Sequence, residues 1–95
     1  MRLVVAFTWL DGEFVDWAEA KVHVLTHTLH YGLGVFEGIR CYKTDDGRSA
    51  VFRLPEHMRR LYDSAHINLM AVPYDIELVT EAVCESLRRN GLDEG

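Results

Sequence analysis

Ninety-five residues make one small domain, with a core near the lower limit for independent stability. Hydrophobic residues at 48% mark a globular chain, and a net charge of -5 with scattered basic residues argues against nucleic-acid binding. Two cysteines, Cys41 and Cys84, fit neither a disulfide framework nor a spaced metal site and suit a reduced, intracellular setting. The opening run Met1-Arg-Leu-Val-Val-Ala-Phe7 is apolar but short, meets Asp11 and Glu13 at once, and lacks a cleavage pattern. No run is long enough to span a bilayer. The expectation is a soluble cytoplasmic protein with no membrane partner.

In chain order, Asp11-Gly12 between Phe7–Leu10 and Glu13–Val15 is a two-residue hairpin signal. Lys21–Leu25 alternates like a strand, and Thr26–Gly34 reads as a turn or short helix. Val35–Lys43 reads as a further strand, and Asp45-Asp46-Gly47 turns the chain into Ala50–Leu54. Two helices follow. Pro55 suits a first helical position, and Met58, Leu61, Tyr62 and Ala65 form an apolar stripe. Pro73 ends the link to the second helix, with Asp75 as N-cap. Ile76, Val79, Val83 and Leu87 face its core, Arg88 and Arg89 complement the dipole, and Gly91 stops it. Four or five strands in a mostly antiparallel sheet, then two helices, make the class α+β.

The stretch from Thr28 to Tyr42 stands out. Alternation places Val35, Glu37, Ile39 and Cys41 on one face and Phe36, Gly38, Arg40 and Tyr42 on the other. That second face mixes two aromatics, a bare glycine and a cation, and Gly38 opens a gap where a ligand or backbone can come close. It has the composition of a face that holds something.

Five runs carry a resemblance: Trp9-Leu-Asp-Gly-Glu13, Ala20-Lys-Val-His-Val24, His30-Tyr-Gly32, Val35-Phe-Glu-Gly-Ile-Arg-Cys-Tyr42, and Phe52-Arg53 leading into His57-Met-Arg-Arg-Leu61. In order and over nearly the whole chain, they resemble the opening domain of the fold-type-IV pyridoxal-phosphate enzymes, specifically the branched-chain amino acid aminotransferases. The Phe-Glu-Gly-Ile-Arg run points to that branch, whereas D-amino acid aminotransferases and aminodeoxychorismate lyases vary there. The resemblance implies transfer of an amino group between leucine, isoleucine or valine and 2-oxoglutarate. It also implies pyridoxal 5'-phosphate as cofactor and a homo-oligomer with sites completed across the subunit interface. In the family another strand follows the last helix and leads toward a second domain. The expectation is that residues 1–95 are the small N-terminal domain, inactive alone. The alternatives are a domain of a sister branch, or a truncated, non-catalytic interaction module.

Such chemistry needs a lysine amine, a phosphate anchor and a group balancing the ring nitrogen. Lys21 and Lys43 are the only lysines; both read as solvated surface charges, and neither matches the family's catalytic lysine, which the resemblance assigns to the lysine-bearing C-terminal domain, as it does the ring's acidic partner. Arg59 and Arg60 open the first helix, where a cation can clamp phosphate beside free amides. Periodicity alone favours Arg60 pairing with Glu56 on a solvated face and Arg59 with Asp63; the resemblance instead makes Arg60 the phosphate-binding arginine. It likewise assigns Tyr31, Phe36, Gly38 and Arg40 to the substrate pocket. Without it, Tyr31 and Phe36 read as core aromatics and Arg40 as the ion-pair partner of Glu37 or a nearby acid. The spacing of His23, His27 and His30 touches a metal pattern, but structural hydrogen bonding is the stronger reading. Glu37 has no accompanying nucleophile and receives no catalytic role. Cys41 reads as an inert core thiol.

Overall fold

Asp11 and Gly12 both take positive φ, 52° and 92°, the two-residue turn that matches the twist of antiparallel strands. They join β1 (Phe7–Leu10) to β2 (Glu13–Asp16), in register from Phe7 opposite Asp16 to Leu10 opposite Glu13. The computed structural model describes residues 5–95, so the first four residues of the apolar Met1–Phe7 run lie outside the described part. The hairpin tip is pinned from above. The Tyr74 hydroxyl donates to Asp11 Oδ1 at 2.9 Å, and the Tyr74 ring meets Trp9 edge-on at 5.2 Å. A Cβ at Gly12 would lie 3.0 Å from that hydroxyl, so both φ and space require glycine there.

Beyond a single 3-10 turn (Trp17–Glu19), the expected strand Lys21–Leu25 does not form. His23 turns the chain instead: its carbonyl accepts from the Thr26 amide at 3.0 Å and from the Thr26 hydroxyl at 2.7 Å. Val22 and Val24 are exposed. Among the described residues this segment has no ladder partner, and alternation alone makes no strand without one. The expected helical turn does form, as α1 (His27–Tyr31), closed by Gly32 at φ 65°.

Of Val35–Lys43, only β3 (Cys41–Lys43) is in a ladder, paired antiparallel with β4 (Ser49–Val51). Residues 35–40 lie in no helix and make no strand pairing among the described residues, apart from one bond from the Phe52 amide to the Arg40 carbonyl at 2.9 Å. The alternation nonetheless holds: Val35, Glu37 and Ile39 are half-buried and Cys41 is buried, while Phe36, Gly38, Arg40 and Tyr42 are exposed. The far edge of β3 is paired too, since Cys41 exchanges both backbone hydrogen bonds with Gly95, at 2.6 and 2.9 Å. The strands thus form two separate hairpins rather than one sheet of four or five; the α+β class stands.

Leu54 is not the end of a strand but the first residue of α2 (Leu54–Ile67), with Pro55 beside it. Met58 and Ala65 of the expected stripe are buried, with Leu61 and Tyr62 half-buried between them. The Tyr62 hydroxyl donates to the Tyr74 carbonyl at 2.7 Å and ties α2 to α3 (Ile76–Arg89). Asp75 precedes α3 in extended conformation without a side-chain capping bond. At the other end Gly91 takes φ 63°, with hydrogen bonds from Gly91 to Arg88 and from Leu92 to Leu87, a Schellman closure. Asn90 then reaches β1: its Oδ1 accepts from the amides of Ala6 and Phe7 at 2.7 and 2.9 Å, and its Nδ2 donates to the Phe7 carbonyl at 3.0 Å. The core lies between α2, α3 and β3, where Cys41, Leu54, Met58, Ala65 and Ala82 are buried.

Candidate active site

The segment from Val35 to Tyr42 is the spine of the site because its two faces do different work. Phe36 is 89% exposed. No atom lies within 4 Å of where a Cβ on Gly38 would stand, so the middle of this face is open. The Arg40 guanidinium lies 5.8 Å from the centre of the Tyr42 ring, a cation–π arrangement in place of the expected pair with Glu37. Phe36, Gly38 and Arg40 therefore share one open face. Tyr31 is 79% exposed and meets the rings of His27 and His30 of its own helix, at 5.6 and 6.3 Å. Neither Tyr31 nor Phe36 is a core aromatic, which corrects that reading of the pattern.

The opposite face carries a charge among apolar groups. Glu37 lies between Val35 and Ile39 with its side chain only 9% exposed. Arg60 answers it from α2, donating from Nε to Oε2 at 2.9 Å and from Nη2 to Oε1 at 2.7 Å. His57 Nδ1 lies 2.7 Å from the same Oε1. The Arg60 hydrogen bonds, and after them the His57 bond, hold the Glu37 carboxyl at about 2, against an ordinary 4.5. An ionised carboxylate only accepts, so His57 Nδ1 carries the proton. Reciprocally, Glu37 raises the Arg60 guanidinium above its ordinary value.

Arg60 sits in the second turn of α2, not at its opening as expected, and its partner is Glu37 rather than Glu56. Glu56 instead lies 3.9 Å from Arg53, and no Arg59–Asp63 pair forms among the described residues. Glu37 and His57 are the members that sequence reasoning missed. The signal was present: a carboxylate on the inward face of an apolar strand pattern demands partners, and His57 and Arg60 share one helix flank.

Arg60 is 67% exposed. With the Nε–Nη2 edge occupied, both Nη1 hydrogens and one on Nη2 remain unpaired among the described residues, and Arg60 lines a groove of about 310 Å³ with Arg53, Glu56 and His57. That donor edge fits a phosphate group. Both lysines are exposed: Lys43 pairs with Asp93 at 3.3 Å, and Lys21 lies on a loop. His23 Nδ1 accepts from the Leu25 amide and His30 Nε2 lies 2.6 Å from the Val24 carbonyl, so both are engaged in local hydrogen bonds, as expected. Cys41 is buried, also as expected.

The sequence profile of the amino-transferase class IV family matches residues 34–95, the span holding Phe36, Glu37, Gly38, Arg40, His57 and Arg60. The chain belongs to the class IV aminotransferases. Among its class IV relatives, the branched-chain-amino-acid aminotransferase of Pseudomonas aeruginosa is 54% identical over 85 residues, 90% of this chain and 27% of that protein. The Escherichia coli K12 enzyme of the same name is 50% identical over 86 residues, 90% of this chain and 28% of its own. The solved T.th. branched-chain amino acid aminotransferase, complexed with N-(5'-phosphopyridoxyl)-L-glutamate, is 45% identical with a TM-score of 0.92, covering 98% of this chain and 31% of its own. The chain thus spans less than a third of the length of these class IV relatives and corresponds to their N-terminal part. Among the described residues no helix is long and apolar enough to cross a membrane.

Proposed function

We propose that this chain is the N-terminal domain of a pyridoxal-phosphate-dependent branched-chain amino acid aminotransferase, acting on leucine, isoleucine or valine and 2-oxoglutarate in the cytoplasm as a homo-oligomer. The observation that carries the reading is the pairing of one open face, Phe36–Gly38–Arg40, with an anchored, exposed arginine that lines a groove and keeps its outer donors unpaired among the described residues. Arg60 binds the cofactor phosphate through that edge. Phe36 and Tyr31 supply rigid apolar area for a branched aliphatic side chain, Gly38 leaves room for the substrate to approach the backbone, and Arg40 borders the same face. When bound, the cofactor supplies the electron sink that lets an amino group pass between carbon skeletons. The catalytic lysine comes from chain outside residues 1–95, so this domain by itself binds and orients but does not transaminate.

Two measurements test this. In the complete enzyme, Arg60→Ala removes charge-assisted hydrogen bonds to the phosphate, so affinity for pyridoxal 5'-phosphate should fall about ten- to hundredfold. An unchanged affinity would remove Arg60 from the site. Residues 1–95 mixed with the cofactor and reduced with borohydride should show no stable adduct by intact mass. A stoichiometric adduct at Lys21 or Lys43 would overturn the division of labour.

A further inference from the structure

We propose that Glu37 is the positioning residue of the anion site: seated by His57, its carboxylate grips the Nε–Nη2 edge of Arg60 and aims the outer edge at the cofactor phosphate. This rests on the reading of Arg60 as the phosphate ligand and extends it to a residue that touches neither cofactor nor substrate. Arg60 is 67% exposed, so packing does little to choose its rotamer. The two bonds to Glu37, at 2.9 and 2.7 Å, fix the plane of the guanidinium as a single bond could not. Glu37 is itself held, 9% exposed on the inward face of the Val35–Tyr42 segment, with the His57 bond at 2.7 Å stopping its carboxylate from rotating. The result is a fork whose inner prongs are engaged and whose outer prongs are preset. A phosphate arriving there does not have to order a long, solvated side chain, and that saving appears as affinity.

The same contacts could merely brace the Val35–Tyr42 segment against α2, so the test compares a ligand bearing the phosphate with one lacking it. Apoenzyme of the complete protein is titrated by absorbance with pyridoxal 5'-phosphate and, separately, with pyridoxal, in wild type, Glu37→Ala, Glu37→Gln, Arg60→Ala and the Glu37→Ala/Arg60→Ala double variant. Losing the ordering of one flexible side chain should weaken pyridoxal 5'-phosphate roughly three- to tenfold in Glu37→Ala, leave pyridoxal unchanged, and cause no further loss when Arg60 is already alanine. Glu37→Gln is nearly isosteric, so it keeps the comparison meaningful if the alanine variant folds poorly. Its amide oxygen still accepts from Arg60 but its NH₂ cannot, and its loss should be smaller than that of alanine. Equal weakening of both ligands in the glutamine variant would overturn the proposal in favour of a bracing role. Unchanged phosphate affinity in both Glu37 variants, with a loss in Arg60→Ala, would overturn it while leaving the phosphate reading intact. No loss in Arg60→Ala would overturn both.

Discussion

Glu37 stands among Val35, Ile39 and Cys41, where a carboxylate without partners would take up a proton. Its hydrogen bonds to Arg60 and His57 reverse that tendency and hold it at about 2, against an ordinary 4.5. A carboxyl whose folded value is depressed stabilises the fold above its unfolded value, and that stabilisation is lost as pH falls through the folded one. The Glu37–Arg60–His57 contribution should therefore be complete above about pH 4.5 and disappear toward pH 2. Thermal unfolding of wild type and Glu37→Gln at stepped pH checks this: the gap between them should narrow steadily below about pH 4.5. A constant gap would show that the charge on Glu37 is not what stabilises. This trio also marks how far residue patterns carry. The helical spacing of Arg60 and Glu56 offered a local partner. The actual one lies 23 positions away, across a turn, a hairpin and the start of a helix, and no local periodicity encodes such a distance.

At the scale of the element, helix ends separate what is easy from what is strained. Both long helices close in the same way, with an αL residue after the C-cap and two hydrogen bonds back into the last turn. In α3 that residue is Gly91, and the pattern predicted it. In α2 it is Leu69, at φ 57° and 93% exposed, with Leu69 bonded to His66 and Met70 to Ala65. A branched side chain in αL costs roughly 1–2 kcal/mol, and here burial returns almost nothing. Leu69→Gly should then raise stability by about 0.5–1 kcal/mol after the extra unfolded-state freedom of glycine is deducted. Denaturant unfolding would read this as a higher midpoint at unchanged slope, and a lower midpoint would show that Leu69 has a contact worth more than its strain. The reverse applies at the β1–β2 turn. Gly12→Ala meets both φ 92° and the Tyr74 hydroxyl and should destabilise by about 1 kcal/mol or more. An unchanged midpoint would mean that the turn relaxes into another type.

The whole molecule is looser than a self-sufficient domain of its length. Its radius of gyration is 14.6 Å, against roughly 12 Å for a compact chain of this size. Val22, Val24, Leu25, Leu29, Tyr31 and Phe36 are all more than half exposed. Apolar area of that extent is expected to find cover. Residues 1–95 alone should self-associate as concentration rises, in sedimentation velocity or light scattering. A monodisperse monomer at high concentration would show that this surface tolerates water and is not an interface.

Much of what depends on near neighbours was legible in the order of residues. The Asp11-Gly12 turn, the two helices with their stripes, the glycine stop of α3, and the inward and outward faces of Val35–Tyr42 follow from backbone preference and side-chain period, which a short window contains. The α+β class follows from their order. Which extended segments became strands was settled only on folding, because a strand needs a partner's hydrogen bonds. Lys21–Leu25 had none among the described residues, while Cys41–Lys43 found β4 on one edge and Gly95 on the other. The partner of Arg60 was settled in the same way. The choice between Glu56 one helical turn away and Glu37 on another segment rests on which carboxylate is withdrawn from water, and burial is a property of the assembled fold.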